Sequence, residues 1–214
     1  MFKLLGITID DGLTFTKYVN VLRKKVNRKL FAKKNIFFLS EKIKLQFFKT
    51  FLLPHFDYCA SLFIYFGKTQ IDNINRLYNS CLFNLLRIDL HDKPLEEQAR
   101  VLTDYNLMPF KYRLFYRFSI FSYKIINRFI LHNINDELVQ LDNSKNLRDA
   151  TRNLYYVPSC RTMMGAKRIS VCLPQLINKV MRSSFNLNFC DFKNFILDNL
   201  SILFVKFQIL VKNV

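Results

Sequence analysis

The chain has 214 residues, and its 33 Lys and Arg against 16 Asp and Glu give a formal net charge of +17 with a 50% hydrophobic fraction. That apolar content is enough for a real core and excludes a disordered chain, while the charge favours a polyanionic partner, either nucleic acid or an acidic membrane. A transmembrane protein is also disfavoured: residues 114–131 are interrupted by Arg117, Lys124 and Arg128, and 200–211 is too short to span a bilayer.

Residues 2–9 read as a strand, and Asp10, Asp11 and Gly12 as the turn that closes it. Thr14 or Thr16 then caps a helix beginning near Lys17, with Val19, Leu22, Val26, Leu30 and Phe31 at mostly three- and four-residue steps and bases on the remaining arc. Ser40 begins a second helix, which Pro54 is expected to interrupt. An aromatic run, "PHFDYCASLFIYFG", leads to a helix capped by Thr69 with Ile71, Ile74, Tyr78, Cys81, Leu82 and Leu85 along one stripe. Pro94 opens "PLEEQARVLTDYNL", where Glu96 and Glu97 suit a first helical turn.

A fifth helix is expected from Phe110 to Leu131. Asn133 to Arg152 weakens into Asn, Asp and Ser and reads as a linker. Short extended pieces around Tyr155–Pro158 and Ile169–Leu173 are expected before a last helix from Asp191 through Leu203. Five cysteines without a CxxC pair, and a start, "MFKLLG", without a signal-peptide pattern, read as reduced thiols of an intracellular protein, with the nucleus among its compartments.

Three clusters invite chemistry. Asp10 and Asp11 resemble half of a two-metal site, but adjacent strand residues point to opposite faces and no third acid lies nearby, so a turn is the expected reading. His55, Asp57 and Cys59 match no metal-ligand spacing; His55 and Asp57 are expected to bond chain ends at the Pro54 break, with Tyr58 and Cys59 packed inward. The basic helix carries more weight. Residues 17–50 hold eleven bases and one acid, a net of +10. Arg23, Lys24, Lys25, Arg28, Lys29, Lys33 and Lys34 are the candidate nucleic-acid-binding residues, reaching successive phosphates from one side of a helix. Lys111, Arg113, Arg117, Lys124 and Arg128 could widen that surface, although the aromatics between them also suit a core.

"FKLLGITIDDGLTF", "YVNVLRKKVNRKL", "LQFFKTFLLPHFDYCASLF" and "IDNINRLYNSCLFNLLRI" together resemble the carboxyl-terminal part of non-LTR retrotransposon reverse transcriptases, where the same blocks follow in this order. The resemblance covers residues 3–88 and continues more faintly through "KPLEEQARVLTDYNLMPFKYRLFYRFSIFSYKI", "YYVPSCRTMMGAKRISVCLP" and "DFKNFI", while "SILFVKFQILVKNV" matches nothing in the family. It implies that residues 1–16 are the edge of the palm, near the primer grip, and 17–90 a basic helical thumb that holds the template–primer duplex. Residues 91–132 would add further helices and 133–214 a weakly defined carboxyl-terminal region. The family's catalytic aromatic-x-Asp-Asp motif and its further essential Asp have no matching positions here. No catalytic or metal residue is therefore carried over, and the chain alone is expected to be inactive. Magnesium is implied only for an intact relative, and a separate catalytic palm is an implied partner.

The expected fold is mainly α, a helical thumb-like bundle with a short N-terminal β-strand or hairpin. The expected function is a fragment of an RNA-directed DNA polymerase that keeps a non-specific grip on nucleic acid. The alternatives are a basic amphipathic membrane- or protein-interaction module, or a degenerate transposon remnant.

Overall fold

Gly6 decides the shape of the first segment. Its φ of +83° lies in a region open to glycine and costly for other residues. The chain turns back there, so β1 (Phe2–Leu4) and β2 (Ile7–Ile9) form an antiparallel hairpin, with Phe2 opposite Ile9, Lys3 opposite Thr8 and Leu4 opposite Ile7. A hairpin thus replaces the single strand read from residues 2–9. The structure, a computed structural model, describes residues 2–4, 6–31, 38–129, 138–139, 155–162, 165, 168–180 and 184–212. Lys33, Lys34 and nearly all of the expected linker from Asn133 to Arg152 lie outside the described residues. Apart from the hairpin, the fold is mainly helical. The chain divides into two compact units, Met1–Leu114 and Phe115–Val214.

In the first unit, α1 (Thr16–Phe31) buries Tyr18, Val19, Leu22 and Val26, four positions that fall on one face at 100° per residue. Leu30 is half-buried and Phe31 is exposed, so the apolar stripe ends one turn earlier than its spacing suggests. α2 (Glu41–Phe47) follows Ser40, whose side chain makes no cap bond. Pro54 does not break the next stretch. A wide helical turn over Phe48–Leu52, closed by the Leu53 N–H donating to the Phe48 carbonyl, leads directly into α3 (Leu53–Asp57). Widening the turn to i→i+5 relieves the crowding that a proline ring imposes on the carbonyl four residues back. The chain then makes a short tight helix at Ala60–Tyr65.

α4 (Lys68–Leu86) buries Ile74, Leu77, Tyr78, Cys81, Leu82, Leu85 and Leu86, the predicted stripe and its flanks. Its N-cap position is Gly67 and not Thr69, which lies inside the first turn. α4 packs against α1, α2 and the wide turn. At their meeting point the fully buried Tyr78 ring meets Phe48 (5.6 Å), Phe56 (5.3 Å) and Phe110 (5.8 Å), and its hydroxyl donates to the Met108 carbonyl at 3.0 Å. Burial raises its pKa well above the ordinary tyrosine value, so the hydroxyl stays protonated and keeps donating. α5 (Leu95–Thr103) has Pro94 at its N-cap position and Glu96 and Glu97 in its first turn, as expected.

α6 (Phe110–Ile126) ends five residues before the expected Leu131, and the division between the two units falls inside it. In the second unit, α7 (Ile169–Lys179) overturns the extended reading of Ile169–Leu173. β-branched residues followed by Pro174 disfavour a helix locally, by about 3 kcal/mol for an interior proline. Val171, Leu173, Leu176 and Ile177 are all buried, however, and each burial returns about 1.5–3 kcal/mol. Asn178, also buried, accepts from the Tyr155 N–H at 3.0 Å and donates to the Tyr155 carbonyl at 2.7 Å. One side chain thereby holds the extended Tyr155 segment as a neighbouring strand would. The last expected helix is two, α8 (Phe189–Asp198) and α9 (Leu200–Lys212), separated at Asn199. Asn188 caps α8 by accepting from the Asp191 N–H at 2.9 Å.

Asp57, at the end of α3, receives a two-pronged hydrogen bond from the Nε and Nη2 of Arg113 on α6, and the two side chains are only 19% and 13% exposed. Asp57→Ala should cost roughly 2–3 kcal/mol, between the values for exposed and fully buried pairs, because it strands the guanidinium. Adding Arg113→Met should recover part of that loss. Urea unfolding at constant m-value measures both, and a loss below about 0.5 kcal/mol for Asp57→Ala would show that the pair contributes little.

Candidate nucleic-acid interface

The acidic pair is a turn. The Asp10 carboxylate accepts from the Phe15 N–H at 2.9 Å, from the Thr14 N–H at 3.2 Å and from the Thr14 hydroxyl. The Thr14 hydroxyl bond, followed by the backbone donors, holds its pKa below the ordinary carboxylate value. These bonds compensate for Leu13 and Phe15, both with φ near +50°, where a non-glycine residue is strained by about 1–3 kcal/mol. The strain places the Phe15 ring in the core, stacked on Phe66 at 4.4 Å. Asp10 therefore orients the start of α1, and its oxygens are engaged by local donors. Among the described residues no three His, Cys, Asp or Glu side chains are grouped as metal ligands.

α1 then presents its bases. With its apolar face docked on α4 and β2, the advance of about 100° per residue puts Lys24 and Arg28 roughly opposite the core, Arg23 on one flank and Lys25 on the other, while Lys29 falls on the core-facing side. The cations enclose the solvent-facing arc and are not confined to one side. Arg23, Lys24, Lys25 and Arg28 are exposed, and among the described residues none of them pairs with a carboxylate. Lys29 is half-buried and donates to the Phe51 carbonyl at 3.3 Å, which ties α1 to the wide turn. Five of the seven candidate residues thus fall on one helix, and Lys33 and Lys34 lie outside the described residues.

The second group of bases behaves differently. Arg113 is taken by Asp57, and Lys111 pairs with Asp72 at 3.1 Å, so both serve the first unit's packing. Phe115, Phe118 and Tyr123 are buried, with Phe115 and Phe118 against Phe207 and Phe115 also against Phe204. The interleaved aromatics of α6 are largely core.

The "PHFDYC" cluster also separates. Asp57 pairs with Arg113, and Tyr58 is exposed where it was expected to pack inward. Sequence reasoning missed that His55 lies near Lys25 and Lys29 of α1. Its Nε2 is shielded from solvent and has no hydrogen-bond partner among the described residues. Desolvation first, then the charges of Lys29 and Lys25, holds its pKa below the ordinary 6.5. The signal for this proximity is the packing of α1 against the wide turn, which local spacing does not report.

A depressed histidine pKa means that the unfolded chain takes up the proton first, so stability falls as pH drops below about 6.5 and through the lower folded-state range. His55→Gln should make the fall in Tm over that range shallower than in the parent. Parallel decreases of Tm in the two proteins would show that His55 does not contribute to acid sensitivity.

Comparisons with protein-family models, with curated proteins and with solved structures each find no match to this chain, so the arrangement of its own side chains carries the functional argument.

Proposed function

We propose that this chain is a nucleic-acid grip, the thumb portion of an RNA-directed DNA polymerase of the non-LTR retrotransposon kind, which positions a template–primer duplex and does not carry the catalytic centre. The observation that carries the reading is the set of exposed cations on α1, Arg23, Lys24, Lys25 and Arg28, without carboxylate partners among the described residues. Four uncompensated charges on a rigid helix are repelled by one another and stabilised by a polyanion. Successive phosphates supply that compensation through counterion release, without reading bases.

Two further features favour this reading. The apolar face of α1 is occupied by its own core, so it is not free to lie in a lipid interface as an amphipathic membrane helix would. Among the described residues no helix is long and apolar enough to cross a membrane. The hairpin leaves the outer edge of β1 without a strand partner among the described residues, with Phe2 and Leu4 exposed. An apolar strand edge of this kind suits a sheet supplied by a catalytic palm. In such an assembly magnesium and its carboxylates belong to the palm, and α1 contributes position.

The test is duplex affinity as a function of salt for the parent and for Arg23→Ala/Lys24→Ala/Arg28→Ala. Removing one phosphate-binding cation should flatten the log–log salt dependence by about one, so the triple variant should bind more weakly with a slope shallower by up to about three. An unchanged slope removes α1 from the interface. Sedimentation with anionic vesicles in place of duplex would instead support the membrane-binding module.

A further inference from the structure

The bond pattern at the end of α6 fixes an aromatic ring in an exposed position. The Arg128 N–H donates to the Ile125 carbonyl at 3.0 Å and the Phe129 N–H to the Lys124 carbonyl at 2.9 Å, with Arg128 at φ +56°. This paired closure usually takes glycine or asparagine at the left-handed residue, and here an arginine bears the strain. Phe129 follows, 66% exposed. Its ring lies nearly parallel to Tyr123, with centroids 6.2 Å apart and planes 19° from each other, and 6.4 Å from Phe189.

Cations surround these rings. The Lys193 ammonium sits 4.0 Å from the centroid of Phe189 and that of Lys124 5.8 Å from it, and Arg128 is exposed beside Phe129. Among the described residues no carboxylate forms an ion pair with Lys124, Arg128 or Lys193. All six residues belong to the second unit, whereas α1 belongs to the first.

We infer that Phe129 is a stacking platform for an unpaired base of single-stranded nucleic acid, with Lys124, Arg128 and Lys193 holding the flanking phosphates. An exposed ring with one face supported by other aromatics offers its second face to a flat partner, and uncompensated positive charge around it selects a partner that is also anionic. A nucleotide strand has both properties. Base stacking tolerates sequence, so no base preference is expected. The inference concerns a different unit and a different form of nucleic acid from the α1 grip, and it stands or falls independently of it.

The test compares binding of a 12-nucleotide oligothymidylate with that of an abasic strand of the same length and charge, for the full chain and for Phe129→Ala and Phe129→Trp. The parent should prefer the strand with bases roughly tenfold, the scale of one base–aromatic stack. Phe129→Ala should abolish that preference while leaving abasic binding unchanged, and Phe129→Trp should keep it. Oligouridylate in a parallel arm should behave as oligothymidylate does if stacking alone is at work. An equal preference in parent and Phe129→Ala overturns the inference. So does concentration-dependent dimerisation of the parent that disappears in Phe129→Ala, because the ring would then serve a second copy of the chain.

Discussion

The structure of the first unit depends on how Tyr78 is buried. Its ring closes the space between Phe48 of the wide turn, Phe56 of α3 and Phe110 of α6, mostly edge to face, and its hydroxyl reaches the Met108 carbonyl just before α6. One residue of α4 therefore ties down both the segment before it and the segment after it in sequence. Aromatic geometry of this kind adds roughly 0.5–1.5 kcal/mol per pair beyond area burial, and the hydroxyl would be costly to bury without an acceptor. The Asp57–Arg113 pair crosses the same junction from its rim. α1 packs against α4, so the direction in which its bases point follows from this arrangement.

What was legible in the sequence was periodic. The α4 stripe from Ile74 to Leu85 and the α1 stripe from Val19 to Val26 are found where their spacing puts them, and the mainly helical fold with its short amino-terminal hairpin follows. The turn at Asp10 was legible too, because adjacent acids on a strand cannot share a metal and an Asp-Asp-Gly run suits a turn, where the Asp10 carboxylate serves local N–H groups. Less legible were the elements in which tertiary burial overrides local preference. Pro54 read as a break and Ile169–Leu173 as an extended piece, yet a widened turn absorbs the proline and burial on several faces makes the second stretch helical. Asp57 and Asp72 gave no local sign that they would take Arg113 and Lys111, since such pairs join residues distant in the chain.

For the candidate interface, composition indicated that the charge was uneven, and only packing separates bases with a structural task from bases without one. Lys111 and Arg113 are compensated within the first unit, and Lys29 is anchored to a carbonyl. Arg23, Lys24, Lys25 and Arg28 keep their charge facing solvent. The aromatic residues divide in a similar way. Phe115 and Phe118 on α6 are core, whereas Phe129 just beyond its end is displayed. A helical reading extended to Leu131 would have hidden that residue in a regular face, and it was the early end of α6 that exposed it.

Lysine labelling tests, at the residues themselves, the proposal that α1 meets nucleic acid through the arc facing away from its core. The chain is acetylated briefly with and without a saturating duplex, and protection is read by mass spectrometry. Lys24 and Lys25 should become protected, while Lys111, held by Asp72, and Lys93, which bonds Glu97 at 2.8 Å, should keep the same reactivity in both conditions. Duplex binding that leaves Lys24 and Lys25 as reactive as before would contradict the proposal.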